Sequence, residues 1–257
     1  MLKLAITGKG GVGKTTLAAL LAHVFAERGQ KVLAIDADPA MGLAAACGVP
    51  MDKAATITPV ADMEDLIYER TGARKGETGG YFKINPRVDD IPDRFSLSCD
   101  GIRILTMGTV KSGGSGCLCP ENALLRTLVT HLLLRSDEVL IMDMEAGVEH
   151  LGRGTAGAVD ALIVVVEPGL RSIQTAHTIH GLAHDIAIRR LYGVGNKVAS
   201  DADEAFIAQR LPDLKMLGYL PADPMAIEAD QRGQSVFHLA PRLATEARAI
   251  VDRLQSM

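Results

Sequence analysis

The stretch Gly8-Lys9-Gly10-Gly11-Val12-Gly13-Lys14-Thr15-Thr16 constrains this chain more than any other, because it follows an apolar run and opens a segment of helical period. Glycines in that pattern let backbone N–H groups turn inward around a phosphate, and the helix behind them adds positive potential. Strand, glycine-rich loop, helix is the context that the Walker A pattern requires. Within it, Lys14 reaches phosphate oxygens and the Thr15 hydroxyl can hold Mg²⁺.

Further apolar runs at residues 32–35, 102–107, 139–142, 161–166 and 215–220 show little alternation, which suits strands of a parallel sheet covered on both faces. Between them, Leu17, Leu20, Leu21 and Val24, then Leu124, Leu125, Leu128 and Leu132, recur at helical spacing. The expectation is an α/β fold, a doubly wound, mainly parallel sheet with helices on both faces, as one domain over residues 1–257. Residues 71–100 break the rhythm, being rich in Gly, Pro and charge, and read as a surface insertion. In such sheets a ligand sits beyond the carboxyl ends of the strands, where residues 8–15, 36–39 and 143–147 all fall.

A formal net charge of −4 with scattered basic residues does not advertise a nucleic-acid or anionic-membrane surface. The opening apolar run is too short for a signal peptide or a membrane span, so the expected place is the cytoplasm, with no membrane partner. Four cysteines in a reducing compartment do not suggest a disulfide framework. Cys117 and Cys119 are close enough that in extended chain both sulfurs can face one ion, and Pro120 suits the first turn of a helix through Arg135, which favours a thiolate at Cys119. Two thiolates are half of a tetrahedral set, and a symmetric dimer would supply the other half from a second copy. Soft sulfur ligands admit Zn²⁺, Cu(I), iron–sulfur clusters or Ni²⁺. Two buried free cysteines, or a purely structural zinc clip, are the alternatives.

Lys9 is a departure from an ordinary Walker A loop, and with it the pattern resembles the deviant Walker A ATPases that include MinD, ParA and the nitrogenase iron protein. That resemblance implies binding and hydrolysis of ATP with Mg²⁺ by a homodimer in which Lys9 crosses to the phosphates of the other subunit, as an arginine finger does. It also implies that Asp38 positions or activates the attacking water. Asp36 would then support the Mg²⁺ shell from its first or second layer, and Asp143, at the place of a Walker B acid, would hold Mg²⁺ through water. Met144-Glu145-Ala146-Gly147 would be the switch that feels the γ-phosphate. Asn196-Lys197 resembles the position that reads adenine, and Pro221-Ala222-Asp223 the loop covering the other face of the base.

Adding the Cys117-Leu118-Cys119 pair, the run from Asp143 through Val148-Glu149-His150-Leu151-Gly152-Arg153-Gly154-Thr155, and Asn85-Pro86-Arg87-Val88-Asp89-Asp90-Ile91-Pro92, the resemblance narrows to the CooC-type accessory ATPases. It covers essentially the whole chain. It implies nickel insertion into apo carbon monoxide dehydrogenase, with Ni²⁺ or Zn²⁺ held between subunits by the cysteine pairs. Two other readings stay open: a positioning ATPase like MinD or ParA, and an iron–sulfur electron donor like the nitrogenase iron protein, whose cysteines are widely separated rather than a C-x-C pair. His177, His180 and His184 share one helical face and read as residues of a half-exposed helix, and Cys47 and Cys99 as packing residues.

Overall fold

The computed structural model describes residues 2–75, 81–108, 119–135, 138–148, 151 and 158–257. Eight strands form one sheet: β1 (Lys3–Gly8), β2 (Val32–Ala37), β3 (Leu97–Cys99), β4 (Ile102–Thr106), β5 (Val139–Met144), β6 (Ala161–Val166), β7 (Leu191–Val198) and β8 (Lys215–Pro221). Their spatial order is β3-β4-β2-β5-β1-β6-β7-β8, and every neighbouring pair is parallel except β3 with β4. This is the doubly wound sheet expected from the apolar runs.

Alternation within the strands explains why both faces need covering. Leu4 and Ile6 of β1, with Ile163 and Val165 of β6, enter one core beside Leu17, Leu20, Leu21 and Val24 of α1 (Lys14–Glu27). Ala5, Leu162 and Val164 point the other way, into a second core with Leu124, Leu128 and Leu132 of α6 (Pro120–Arg135). Full burial of each Leu, Ile or Val contributes about 1.5–3 kcal/mol, so a strand apolar on both sides stays where it can bury both.

The first core is shared by α2 (Leu43–Ala46), α9 (Pro224–Arg232), α10 (Val236–Leu239) and α11 (Pro241–Gln255). The second takes α4 (Glu64–Thr71), α5 (Ile91–Phe95), α7 (Leu170–Asp185) and α8 (Asp201–Arg210). A further short helix, α3 (Met51–Ala54), follows α2. On α11 the apolar side, Leu243, Ala247, Ile250, Val251 and Leu254, is buried in the first core, so it is not a free amphipathic face. No helix among the described residues is long and apolar enough to cross a membrane.

Part of 71–100 does not stay on the surface. Val88 and Ile91 are buried in the second core, and Leu97–Cys99 pairs antiparallel with β4 through the two-residue turn Asp100-Gly101, whose φ values are 48° and 79°. Positive φ at both central residues is the type I′ hairpin signature, and Asp-Gly is a preferred pair for it. Residues 76–80 lie outside the described residues.

Candidate active site

Parallel register builds the site. Asp36 of β2 pairs with Asp143 of β5, and Ile6 of β1 pairs with the same Asp143, so the two carboxylates end side by side where β1 runs into the glycine loop. The loop turns on Gly8, Gly11 and Gly13, all at positive φ. At Gly13 a side chain would be strained twice over, since φ is 97° and a Cβ would lie 2.1 Å from Nδ2 of Asn196. That amide donates to the Val12 carbonyl at 2.8 Å and clasps the loop from β7.

At the start of α1, Lys14 is buried and its Nζ lies 3.4 Å from Asp38 Oδ2. Thr15 Oγ1 donates to Asp143 Oδ2 at 2.6 Å. Asp36 accepts backbone N–H groups on both oxygens, from Asp38 at 3.2 Å and Leu43 at 3.0 Å, which suits a second-layer role toward a cation. Burial pushes its carboxyl up to about 6 despite those N–H groups, and the Asp38 carboxylate adds to the rise. Burial also pushes Asp143 up to about 7, against the Thr15 hydrogen bond. Asp143 Oδ1 is buried and accepts no hydrogen bond. A buried, unpartnered carboxylate oxygen beside a threonine hydroxyl and a second carboxylate fits a hard divalent cation, and Mg²⁺ in particular, which takes oxygen ligands and keeps water.

Lys9 is not free. Its Nζ lies 2.8 Å from Glu167 Oε1, while Lys197 Nζ sits 3.3 Å from Glu167 Oε2 and donates to the Gly11 carbonyl at 2.6 Å. Burial works to raise Glu167, but the two lysines prevail and hold its carboxyl below the usual carboxylate range. Thr7 fastens the segment after β5: its hydroxyl is 2.8 Å from the Glu145 carbonyl and 2.9 Å from that of Gly147, and it accepts the Gly147 N–H at 3.1 Å. Neither Glu167 nor Thr7 carries a motif. Glu167 could have been suspected from its place one residue past the carboxyl end of β6, as Asp38 is one residue past that of β2.

The structure thus brings Gly8 through Thr16, Asp36, Asp38 and Asp143 to one end of the sheet. Asn196 and Lys197, expected near adenine, turn their side chains onto the loop. Ala222 N–H donates to the Val198 carbonyl, and the Asp223 carboxylate caps α9 by accepting from Met225 N–H at 3.0 Å. Cys119 is buried just before α6, at a cavity of about 210 Å³ shared with Ile84, Asn85, Asn122 and Arg126. Cys117 lies outside the described residues, as do His150 and Arg153. His177 and His184 are exposed and His180 half-exposed on α7.

A profile of the CobQ/CobB/MinD/ParA nucleotide-binding domain matches residues 3–236. The chain is 48% identical over 253 residues to the carbon monoxide dehydrogenase accessory protein CooC of Rhodospirillum rubrum, covering 98% of this chain and 96% of that protein. It is 43% identical over 253 residues to an uncharacterized ATP-binding protein of Methanocaldococcus jannaschii, with the same coverage of 98% and 96%. Among solved structures, the MinD cell division protein in its complex with MinC from Aquifex aeolicus superposes with a TM-score of 0.71 at 19% identity, covering 100% of this chain and 96% of that one.

Proposed function

Given that the chain belongs to the CobQ/CobB/MinD/ParA nucleotide-binding family and is an ATPase of CooC type, we propose that it drives nickel insertion into carbon monoxide dehydrogenase, working as an ATP-closed homodimer. The observation that carries the client is the 48% identity to the Rhodospirillum rubrum accessory protein over 98% of the chain. What carries the chemistry is the cluster of Lys14, Thr15, Asp36, Asp38 and Asp143 around the glycine loop.

In this reading the γ-phosphate of ATP displaces Asp38 from Lys14. The freed carboxylate is then placed to orient the attacking water, while Lys14 bonds the β and γ oxygens. Thr15 and, through water, Asp143 and Asp36 would hold Mg²⁺, which would neutralise charge on those oxygens when bound. Lys9 exchanges Glu167 for phosphates bound to the second copy, and Glu167 keeps Lys197. Closure of the segment after β5 onto the γ-phosphate is relayed through Thr7, which ties that segment to the base of the loop. Asn196 and Lys197, with the loop at Pro221, Ala222 and Asp223, take the adenine once nucleotide draws them off the loop.

The transferred ion, Ni²⁺ in the delivery step and Zn²⁺ as a competing occupant, is bound by Cys117 and Cys119 of both copies. The place of Cys119 at the start of α6 supports this, because a helix N-terminus favours a thiolate. The cytoplasm is the compartment that keeps such thiols reduced. Anaerobic Ni²⁺ titration of the wild type with Mg-ATP tests the proposal. One ion per two chains, lost in Cys117→Ser/Cys119→Ser while ATP binding persists, is expected; unchanged stoichiometry in that variant defeats it.

A further inference from the structure

At the end of the sheet opposite the glycine loop, three metal-binding side chains converge from three separate elements. His23 lies on α1, Asp100 is the first residue of the β3–β4 turn, and His238 lies on α10. One donor atom from each of the three lies within 4.8 Å of the other two, and among the described residues this is the only such group of His, Cys, Asp or Glu. His238 Nε2 is 2.9 Å from Asp100 Oδ2.

The surroundings hold these groups in place. The His23 ring is buried, stacks on Phe237 at 4.9 Å, and meets His238 edge-on at 5.3 Å. Its Nε2 lies 3.1 Å from the Cys47 carbonyl and 3.0 Å from Ser235 Oγ, contacts that fix the ring plane as partners behind metal-bound imidazoles do. A proton on Nε2, donated to the Cys47 carbonyl, leaves the lone pair of Nδ1 for a ligand. Asp100 is set in the hairpin turn at a φ of 48°, and its carboxylate meets His238 of α10. A cavity of about 330 Å³ opens beside the group, lined by Cys99, Asp100, Gln234, Ser235 and His238.

We propose that His23, Asp100 and His238 form a mononuclear site for a borderline divalent transition-metal ion, Zn²⁺, Co²⁺ or Ni²⁺, separate from the Cys117/Cys119 pair. Two imidazoles and one carboxylate are a recognised donor set for such ions, with the remaining position open to water or to the Cys99 thiol across the cavity. Ligand atoms at ~2.0–2.2 Å from one ion would lie roughly 3.3–3.6 Å apart, so His238 and Asp100, now 2.9 Å apart, must part slightly while both stay within reach of His23. His238 and Asp100 can make that move, because their side chains are 63% and 49% exposed. His23 is fixed and the other two adjust to it. An ion there would join α1 to the hairpin and to α10. It would sit about 14 Å along α1 from Lys14, nine residues at 1.5 Å each, and so has no part in phosphate binding.

The test uses the full chain carrying Cys117→Ser/Cys119→Ser, stripped of metal and free of nucleotide, titrated with Co²⁺ by visible absorption and with Zn²⁺ and Ni²⁺ by calorimetry. One ion per chain is expected, weakened at least ~10-fold by His238→Ala and by Asp100→Asn. Both substituted residues are exposed, and unchanged far-ultraviolet circular dichroism verifies their fold. Contact-shifted proton resonances from two imidazoles in the Co²⁺-loaded chain give a readout that needs no substitution at the site. No binding in the Cys117→Ser/Cys119→Ser chain, or binding that both further substitutions leave unchanged, overturns the proposal.

Discussion

The two ends of the central sheet handle their charged groups in opposite ways. At the carboxyl end, nearly every group that would touch nucleotide is already paired within the chain: Lys14 with Asp38, Lys9 with Glu167, Thr15 with Asp143. At the other end, His238 and Asp100 pair at the lip of a cavity, with His23 fixed behind them. A ligand arriving at the first end must exchange partners, whereas one arriving at the second fills space between donors. Exchange makes binding a switch, since the displaced groups must find new partners. Filling makes it a clip.

That contrast is open to breakage, and the largest effect belongs to the first end. Lys14→Ala should lower phosphate release at least ~100-fold, the scale of removing one preorganised charge from a transition state, while Co²⁺ binding at the hairpin end is unchanged. Loss of Co²⁺ binding as well would mean that the ends are not independent. Asp143→Asn should likewise cut hydrolysis by about two orders of magnitude, yet raise the Tm of the nucleotide-free chain by a few degrees above pH 7, because it removes a buried carboxylate charge whose desolvation pushes the group up to about 7. A fall in Tm would show that charge to be compensated in solution.

Glu167→Gln should sharpen the picture of exchange. With its partner gone, Lys9 is released, and the Mg-ATP concentration giving half-maximal dimerisation, followed by light scattering, should fall by roughly two- to five-fold, the range open to a half-exposed ion pair. A rise would make Glu167 part of the closed state rather than its restraint. The smallest effect is expected from Asp100→Asn, which keeps a residue tolerant of positive φ in the turn. Its ATPase rate should stay within about two-fold of wild type; a larger drop would again couple the ends.

How much of this was legible in the sequence depends on how local each signal is. The central strands were legible because a strand buried on both faces is apolar throughout. The edge strand Leu97–Cys99 was not, since three residues carry no periodicity, although the Asp100-Gly101 pair beside it was a readable hairpin signal. β7 was half legible. Its Gly193 and Gly195 interrupt the apolar pattern, and a Cβ at Gly195 would lie 2.3 Å from the Tyr219 ring, so packing demands what the pattern conceals.

At the nucleotide end, the glycine loop and the three aspartates were legible because each sits in a short motif at a strand terminus. Thr7 acts through partners about 140 residues away, and Glu167 through Lys9, 158 residues away, and Lys197, 30 residues away, and no short motif marks either. The same holds for His23, Asp100 and His238, which only the hairpin and α10 bring together. Cys47 was read as a packing residue and is fully buried in the first core, where its carbonyl accepts from the Cys99 thiol at 3.6 Å.

The central claim is that nucleotide turns internal pairs into pairs between two copies of the chain. Molar mass by light scattering on the nucleotide-free chain, and again with Mg-ATP and Ni²⁺ under anaerobic conditions, tests it most directly. The account predicts a shift from about 27.2 kDa to twice that mass in the wild type, and no shift in Lys9→Ala. A wild-type chain that keeps the smaller mass with both ligands bound would contradict it.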